Sequence, residues 1–101
     1  MLRATEVYRD QYGLQTARWV RLCRRSGLPW REMPTAMLVI YRESRGDHRI
    51  VSPCRTYWGL WQMGSGWWAG KFDPLDPVRA TRATAGSVRA VGWQHWPTAA
   101  P

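Results

Sequence analysis

The chain of 101 residues has no asparagine, one lysine, one phenylalanine and two cysteines, and it lacks any long apolar run. The longest uninterrupted apolar stretch, 36–41, has six residues, whereas a helix that spans a bilayer needs roughly 20. We therefore expect no membrane span. Cys23 and Cys54 are too few for a disulfide framework, although a single bridge between them stays open. Residues 1–13 lack the apolar stretch of a secretory signal, so no signal peptide is expected.

Acidic residues are also scarce, because 7 Asp and Glu face 15 Lys and Arg and leave a net charge of +8. A surplus of this size favours a polyanionic partner, such as nucleic acid, acidic lipid or an anionic cell-wall polymer. The length excludes a multidomain enzyme, since a second core would not bury enough surface to offset its own entropy. The eight tryptophans argue against disorder. We expect one compact domain.

Hydrophobic spacing predicts helices in the first half of the chain. Residues 1–27 are expected to form an amphipathic helical segment of one or two helices, which Gly27 ends as a C′ glycine. A second helix begins near Pro34 and stops before Gly46. Because this second helix is the most apolar part of the sequence, we expect it to lie in the core.

A third helix is predicted from Asp76, acting as N-cap, to about Val91. Small residues are expected to form its packing face: Ala80, Ala83, Thr84, Ser87 and Val91. Between the second and third helices, residues 47–70 lose periodicity and interleave glycines with tryptophans, which predicts ordered loops or a short hairpin. The predicted fold class is therefore mainly α, with an irregular Trp- and Gly-rich region that forms a cleft.

Glu43 is the carboxylate best placed for chemistry. It follows Ala36 by seven residues and Ile40 by three, which puts it on or beside the apolar stripe at the last turn of the predicted core helix. Partial desolvation there raises the pKa of a carboxyl group toward the range in which it delivers a proton near neutral pH. The alternative is an ordinary surface pair between Glu43 and a neighbouring arginine: Arg42, Arg45 or Arg49.

The residues around Glu43 resemble a known family. An apolar helix that ends in Glu-Ser-Arg-Gly-Asp, then Tyr57-Trp-Gly-Leu-Trp-Gln-Met63, is similar to the lysozyme-like lytic transglycosylases, most of all the compact actinobacterial and phage type. The resemblance covers about residues 28–98, including the Asp76 helix and the aromatic tail. It implies a lysozyme-like catalytic region at 28–98, and cleavage of the MurNAc–GlcNAc bond in peptidoglycan glycan strands without a cofactor.

The resemblance also implies roles for individual residues. Glu43 would be the catalytic acid and base, and Ser44 would hold the turn or the carboxylate. Gly59, Leu60 and Gln62 would form the wall of the sugar cleft. Tryptophans would stack on sugar rings or pack in the core, and both roles stay open for each of them: Trp58, Trp61, Trp67, Trp68 and Trp93.

The number of carboxylates favours transglycosylation over hydrolysis. Hydrolysis usually needs a second Asp or Glu about 5 to 9.5 Å from the first. Asp76, and less surely Asp73, are explained as caps that precede proline. Asp47, which replaces an Asn common in the family, lies past Gly46, where helical alignment with Glu43 is broken. We predict a one-carboxylate reaction, while Asp47 keeps a muramidase of the same fold open.

Other site types have weaker support. The spacing of the potential metal ligands matches no closed zinc pattern: Cys23, His48, Cys54 and His95. One rival is a non-enzymatic basic module that binds nucleic acid or serves in a virion, with a helical run of arginines that touches phosphates: Arg18, Arg21, Arg24 and Arg25. A second rival is an inactive domain of the lysozyme-like fold.

Under the transglycosylase interpretation, the positive charge serves attraction to anionic wall polymers, and nucleic acid is disfavoured as a partner. The absence of a signal, with the phage-like resemblance, favours a phage lysin or virion component that acts on the bacterial wall, or a protein that stays in the cytoplasm until it is released.

Overall fold

Four α-helices and two short 3₁₀-helices order the described part of the chain. The computed structural model describes residues 15–100, so residues 1–14 of the predicted N-terminal segment lie outside the described residues. The α-helices are α1 (Thr16–Arg25), α2 (Met33–Ser44), α3 (Ser65–Trp68) and α4 (Pro77–Val91), and the 3₁₀-helices are Trp30–Glu32 and Pro97–Ala99. The fold is compact and mainly helical, as predicted. None of these helices is long and apolar enough to cross a membrane.

Helix α1 is amphipathic and ends in a glycine motif. Its buried residues are Thr16, Trp19, Val20 and Cys23. The Leu28 N–H donates to the Cys23 carbonyl at 3.0 Å and the Gly27 N–H donates to the Arg24 carbonyl at 3.1 Å. This is the Schellman arrangement, in which the C′ residue is left-handed, and Gly27 has a φ of 101°. The prediction that Gly27 ends the helix is confirmed.

Helix α2 lies at the centre of the core. Six of its residues are buried: Met33, Ala36, Met37, Val39, Ile40 and Ser44. Pro34 lies in the first turn, where its missing N–H costs no helical hydrogen bond. Two consecutive left-handed residues end the helix, Arg45 with a φ of 54° and Gly46 with a φ of 80°. The predicted stop at Gly46 is therefore preceded by an arginine in a conformation that costs a side-chain-bearing residue about 1–2 kcal/mol.

An ordered loop joins α2 to α3. Two isolated antiparallel bridges, from Val51 to Trp58 and from Trp58 to Met63, give it the character of a short hairpin, and no strand occurs between residues 15 and 100. Gly59 has a φ of 85°, and a Cβ atom there would lie 2.1 Å from the Pro74 carbonyl oxygen. Only glycine lets the loop approach the turn before α4 this closely.

Helix α4 begins and ends as predicted, but its packing face is rotated. Asp76 Oδ1 accepts from the backbone N–H of Val78 at 2.9 Å and of Arg79 at 3.4 Å. The buried residues are Ala80, Thr81, Thr84, Ala85 and Val88. The prediction for Val91 is wrong, because the contact line passes through position 88 and leaves Val91 50% exposed.

A tryptophan cluster connects the loop, α4 and the C-terminal segment. It consists of Trp61, Trp67, Trp93 and Trp96, whose contacting rings have centroids 5.3 to 6.2 Å apart. The Trp61 indole N–H donates to Thr81 Oγ1 on α4 at 2.9 Å, and the Trp96 indole N–H donates to the Trp61 carbonyl at 3.0 Å. These bonds fix the C-terminal segment against the loop.

Replacement of Thr81 by valine removes the acceptor of the buried Trp61 indole N–H. We expect Thr81→Val to lower the free energy of unfolding by about 1–3 kcal/mol, the cost of an unsatisfied buried donor. Thr84→Val is the matched control, because the buried Thr84 hydroxyl only donates to the Ala80 carbonyl of its own helix at 3.0 Å. Urea unfolding followed by tryptophan fluorescence measures both, and equal losses would contradict a special role for the Trp61–Thr81 bond.

Candidate active site

A cleft lies where the last turn of α2 meets the loop and the C-terminal segment. Its volume is about 220 Å³, and nine residues line it: Glu43, Tyr57, Gln62, Met63, Gly64, Trp67, His95, Trp96 and Pro97. Among the described residues, Glu43 is the only carboxylate in this lining. The structure thus brings the predicted catalytic residue to an aromatic cleft.

The carboxyl group of Glu43 is half-buried and hydrogen-bonded. Thr98 Oγ1 donates to Glu43 Oε2 at 2.9 Å, across 55 residues of sequence. Burial raises the pKa of Glu43 above its ordinary value, and the bond from Thr98 partly offsets this by lowering it. The direction predicted from the position of Glu43 on α2 is confirmed. The raised pKa keeps the group protonated over a wider pH range.

The three arginines near Glu43 in sequence are engaged elsewhere. Arg42 bonds backbone carbonyls of the C-terminal segment, Arg45 lies 4.4 Å over a tyrosine ring of its own helix, and Arg49 pairs with Asp47 at 3.7 Å. Within residues 15–100, none of these arginines forms an ion pair with Glu43. The surface-pair alternative is therefore not what the structure shows.

Asp47, the candidate second carboxylate, does not line the cleft. Its Oδ1 accepts from the backbone N–H of Arg49 at 3.0 Å and lies 3.7 Å from the Arg49 Nε, and both side chains are exposed. These contacts hold the turn after α2. The cleft thus receives one carboxylate, and not two, from the described residues.

The remaining described carboxylates bind backbone or indole N–H groups. Asp76 caps α4, while Asp73 accepts from the Leu75 N–H at 2.9 Å and so caps a turn rather than a helix. Glu32 accepts the indole N–H of Trp93 at 3.1 Å. None of the three carboxylates lines the cleft.

The segment predicted to form the cleft wall divides between core and cleft. Gly59, Leu60 and Trp61 are buried and lie outside the cleft lining, whereas Gln62 and Met63 line it. The change of direction occurs at Gln62, whose φ is 49°. Its amide Nε2 donates to the Gly59 carbonyl at 2.9 Å, which holds this turn.

The tryptophans considered for sugar stacking also divide. Trp67 lines the cleft and is partly exposed. Trp58 packs on Trp68, with ring centroids 5.7 Å apart, and Trp93 gives its indole N–H to Glu32. Of this group, Trp67 is therefore the one that shares the cleft lining with Glu43.

Ser44 is buried and holds the turn that ends α2. Its Oγ donates to the Ile40 carbonyl at 3.1 Å and accepts from the Gly46 N–H at 3.3 Å. Holding the turn is one of the two roles that the resemblance implied for Ser44.

Several residues of the cleft were not identified from the sequence. His95 was considered only as a metal ligand, yet its ring lies edge-on to Trp67 with centroids 5.4 Å apart. The aromatic tail after Gly92 was the available signal that the chain returns to the site. The other missed lining residues are Tyr57, Met63, Gly64, Trp96 and Pro97. Thr98, which bonds Glu43, was also missed.

Both cysteines are free thiols, so they do not form the bridge left open by the sequence. Burial raises the pKa of Cys23 to about 12, and hydrogen bonds with Ser52 and Thr56 lower the pKa of the exposed Cys54 to about 7. Over residues 15–100, no group of three or more His, Cys, Asp or Glu side chains is arranged to hold a metal ion.

Comparison of the chain with protein-family models, with curated proteins and with solved structures finds no match. The resemblance to lytic transglycosylases therefore rests on the motifs and their spacing.

The raised pKa of Glu43 predicts a pH-dependent contribution to stability. Because the native state favours the neutral carboxyl, this contribution is fully present below the ordinary pKa of 4.5 and is lost as the pH rises through the raised native value. Glu43→Gln is neutral at every pH, so its stability relative to wild type should improve between about pH 4 and about pH 7. Urea unfolding at the two pH values measures the difference, and a pH-independent difference would contradict the raised pKa.

Proposed function

We propose that the chain is a lytic transglycosylase that cleaves the β-1,4 bond between MurNAc and GlcNAc in peptidoglycan. The observation that carries the proposal is one half-buried carboxyl group, Glu43, in an aromatic cleft where burial raises its pKa. Cleavage of a glycosidic bond requires a proton at the leaving oxygen, and a raised pKa keeps a carboxyl group protonated to higher pH.

The proposed reaction uses Glu43 twice. The protonated carboxyl gives its proton to the glycosidic oxygen as the bond from MurNAc C1 breaks, and GlcNAc leaves with a free 4-hydroxyl. The resulting carboxylate then accepts the proton of the 6-hydroxyl of the same muramoyl residue, whose oxygen bonds to C1. A 1,6-anhydro ring closes, Glu43 regains its proton, and no water is consumed.

The cleft suits part of a polymer. Its volume of about 220 Å³ is below the roughly 300–1,000 Å³ typical of pockets that enclose whole small ligands. Tyr57 is 50% exposed and Trp67 is partly exposed, so each offers ring surface for the C–H faces of a sugar. A glycan strand crossing the cleft would place one linkage near Glu43.

The position of Asp47 favours transglycosylation over hydrolysis by a muramidase. Asp47 is exposed, paired with Arg49 and absent from the cleft lining. With one carboxylate available among the described residues, an internal hydroxyl of the substrate is the better nucleophile than a water that needs its own base.

The net charge of +8 supports action at the bacterial wall. Exposed arginines occur on α1 at positions 18, 21 and 25 and on α4 at positions 82 and 89. They would attract anionic wall polymers and raise the local concentration of the enzyme near its substrate. We propose that the protein acts there as a phage lysin or virion component, or after release from the cytoplasm.

Replacement of Glu43 by glutamine tests the proposal. Glu43→Gln keeps the shape of the side chain but removes the proton that the leaving oxygen needs. We expect the rate at which purified protein clears a peptidoglycan suspension to fall by roughly 10²–10⁴-fold, with no loss of folding by circular dichroism. Glu32→Gln is the matched control, because Glu32 lies outside the cleft lining. Unchanged clearing by Glu43→Gln would reject the catalytic assignment.

Products and a second variant decide the reaction type. Mass spectrometry should find released muropeptides lighter by one water than hydrolysis products, and Asp47→Asn should keep most of the activity. Reducing ends, with loss of activity in Asp47→Asn, would identify a muramidase instead. A salt-sensitive gel shift with DNA and no wall clearing would support the basic binding module.

A further inference from the structure

Three hydrogen bonds attach residues 97–100, the C-terminal strap, to the last turn of α2. Arg42 Nη1 donates to the Thr98 carbonyl at 3.0 Å and to the Ala100 carbonyl at 2.5 Å. The Thr98 hydroxyl donates to Glu43 Oε2 at 2.9 Å. Two adjacent residues of α2 therefore hold the strap. Arg42 binds backbone carbonyls of the strap, and Glu43 binds the hydroxyl of Thr98, the one polar side chain in the strap.

The strap is also fixed at its N-terminal end. Trp96, which is 4% exposed, donates its indole N–H to the Trp61 carbonyl at 3.0 Å. The Ala99 N–H donates to the Trp96 carbonyl at 2.9 Å and closes a 3₁₀ turn around Thr98. Thr98 is thus held between a buried indole and a charged guanidinium, so its hydroxyl is placed before substrate arrives.

We propose that Thr98 is a positioning residue that selects which oxygen of Glu43 delivers the proton, an inference that rests on the proposed function. A neutral carboxyl group has one hydroxyl and one carbonyl oxygen. As long as the Thr98 hydroxyl donates to Oε2, that oxygen takes the carbonyl role and the transferable proton lies on Oε1. Thr98 also fixes the rotation of the carboxyl group, which determines how well the proton is aligned with a glycosidic oxygen.

Arg42 supports this arrangement by binding the strap instead of Glu43. A guanidinium paired directly with the carboxylate would lower its pKa and favour the charged form. The two strap carbonyls engage Arg42, and Glu43 receives a neutral hydroxyl. The strap thereby orients the Glu43 carboxyl group. It lowers the proton affinity of this group less than an ion pair with Arg42 would.

Other titratable groups face Glu43 and must be separated from Thr98 in any test. His95 and Tyr57 share the cleft lining, and Arg42 is its neighbour on α2. A change at Thr98 leaves all three in place, so a shift in the pH profile that appears with Thr98→Val and disappears with Thr98→Ser reports the hydroxyl itself.

Thr98→Val removes the hydroxyl and keeps the branched shape of the side chain. Without the bond that lowers it, the pKa of Glu43 should rise further, so the alkaline limb of the clearing rate should move to higher pH. The maximal rate should fall on the order of tenfold, because the carboxyl group is no longer aligned. Thr98→Ser keeps the donor and should restore both the profile and most of the rate.

Thr35→Val, at the opposite end of α2, is the matched control and should leave rate and profile unchanged. Carbon-13 NMR titration of the Glu43 carboxyl in wild type and Thr98→Val measures the pKa without any substrate. A pKa and a pH profile that Thr98→Val leaves unchanged would overturn the positioning role, even if the rate falls. If wild type clears no walls, the proposed function fails, and the proton-selecting role of Thr98 fails with it, whatever the titration shows.

Discussion

The buried hydrogen bond between the Trp61 indole and the Thr81 hydroxyl is the constraint on which the site depends. Trp61 is inaccessible to solvent, and its carbonyl accepts the indole N–H of Trp96. One residue of an irregular loop is therefore tied to a helix on one side and to the C-terminal segment on the other. Because a buried N–H without an acceptor is costly, these partners specify one arrangement of loop, helix and tail.

The environment of Glu43 follows from that arrangement. The last turn of a helix is ordinarily well solvated, but here the C-terminal segment and the aromatic residues of the loop cover part of it. Partial cover raises the proton affinity of the carboxyl group, and access through the cleft keeps it reachable. The segments on both sides of the cleft are packed through Trp61 and Trp96, so the environment of the Glu43 carboxyl group is coupled to the packing of the core.

Local signals predicted much of the fold. Gly27, Pro34 and Asp76 mark helix ends through their backbone preferences, which act within a few residues and can be read directly from sequence. The packing face of α4 was harder to predict from the sequence. Ala and Thr recur on several faces of this helix, so the 3.6-residue period does not separate an apolar face from a polar one. The orientation of α4 depends on the residues against which it packs, and Thr81 of this helix accepts the hydrogen bond from the Trp61 indole.

The sequence predicted the central carboxylate of the candidate site and two of its wall residues, Gln62 and Trp67, but not the rest of the walls. Glu43 could be identified because its spacing from Ala36 and Ile40 places it beside the apolar stripe of its own helix. The chain changes direction at Gln62, which has a left-handed backbone conformation. Glutamine rarely adopts this conformation, so the sequence did not indicate where the loop passes from the core to the cleft. Thr98 is 55 residues from its partner, and no local pattern links two positions that far apart.

The attachment of the C-terminal strap to α2 has a consequence for how the chain is joined to anything else. The Ala100 carbonyl is bonded to Arg42, next to the residue that lies in the cleft. A tag or further domain attached beyond residue 100 therefore starts next to a carbonyl that binds Arg42, the neighbour of Glu43 on α2. A negatively charged residue placed there would compete with the Ala100 carbonyl for the Arg42 guanidinium, whereas attachment elsewhere on the surface would leave this contact unchanged.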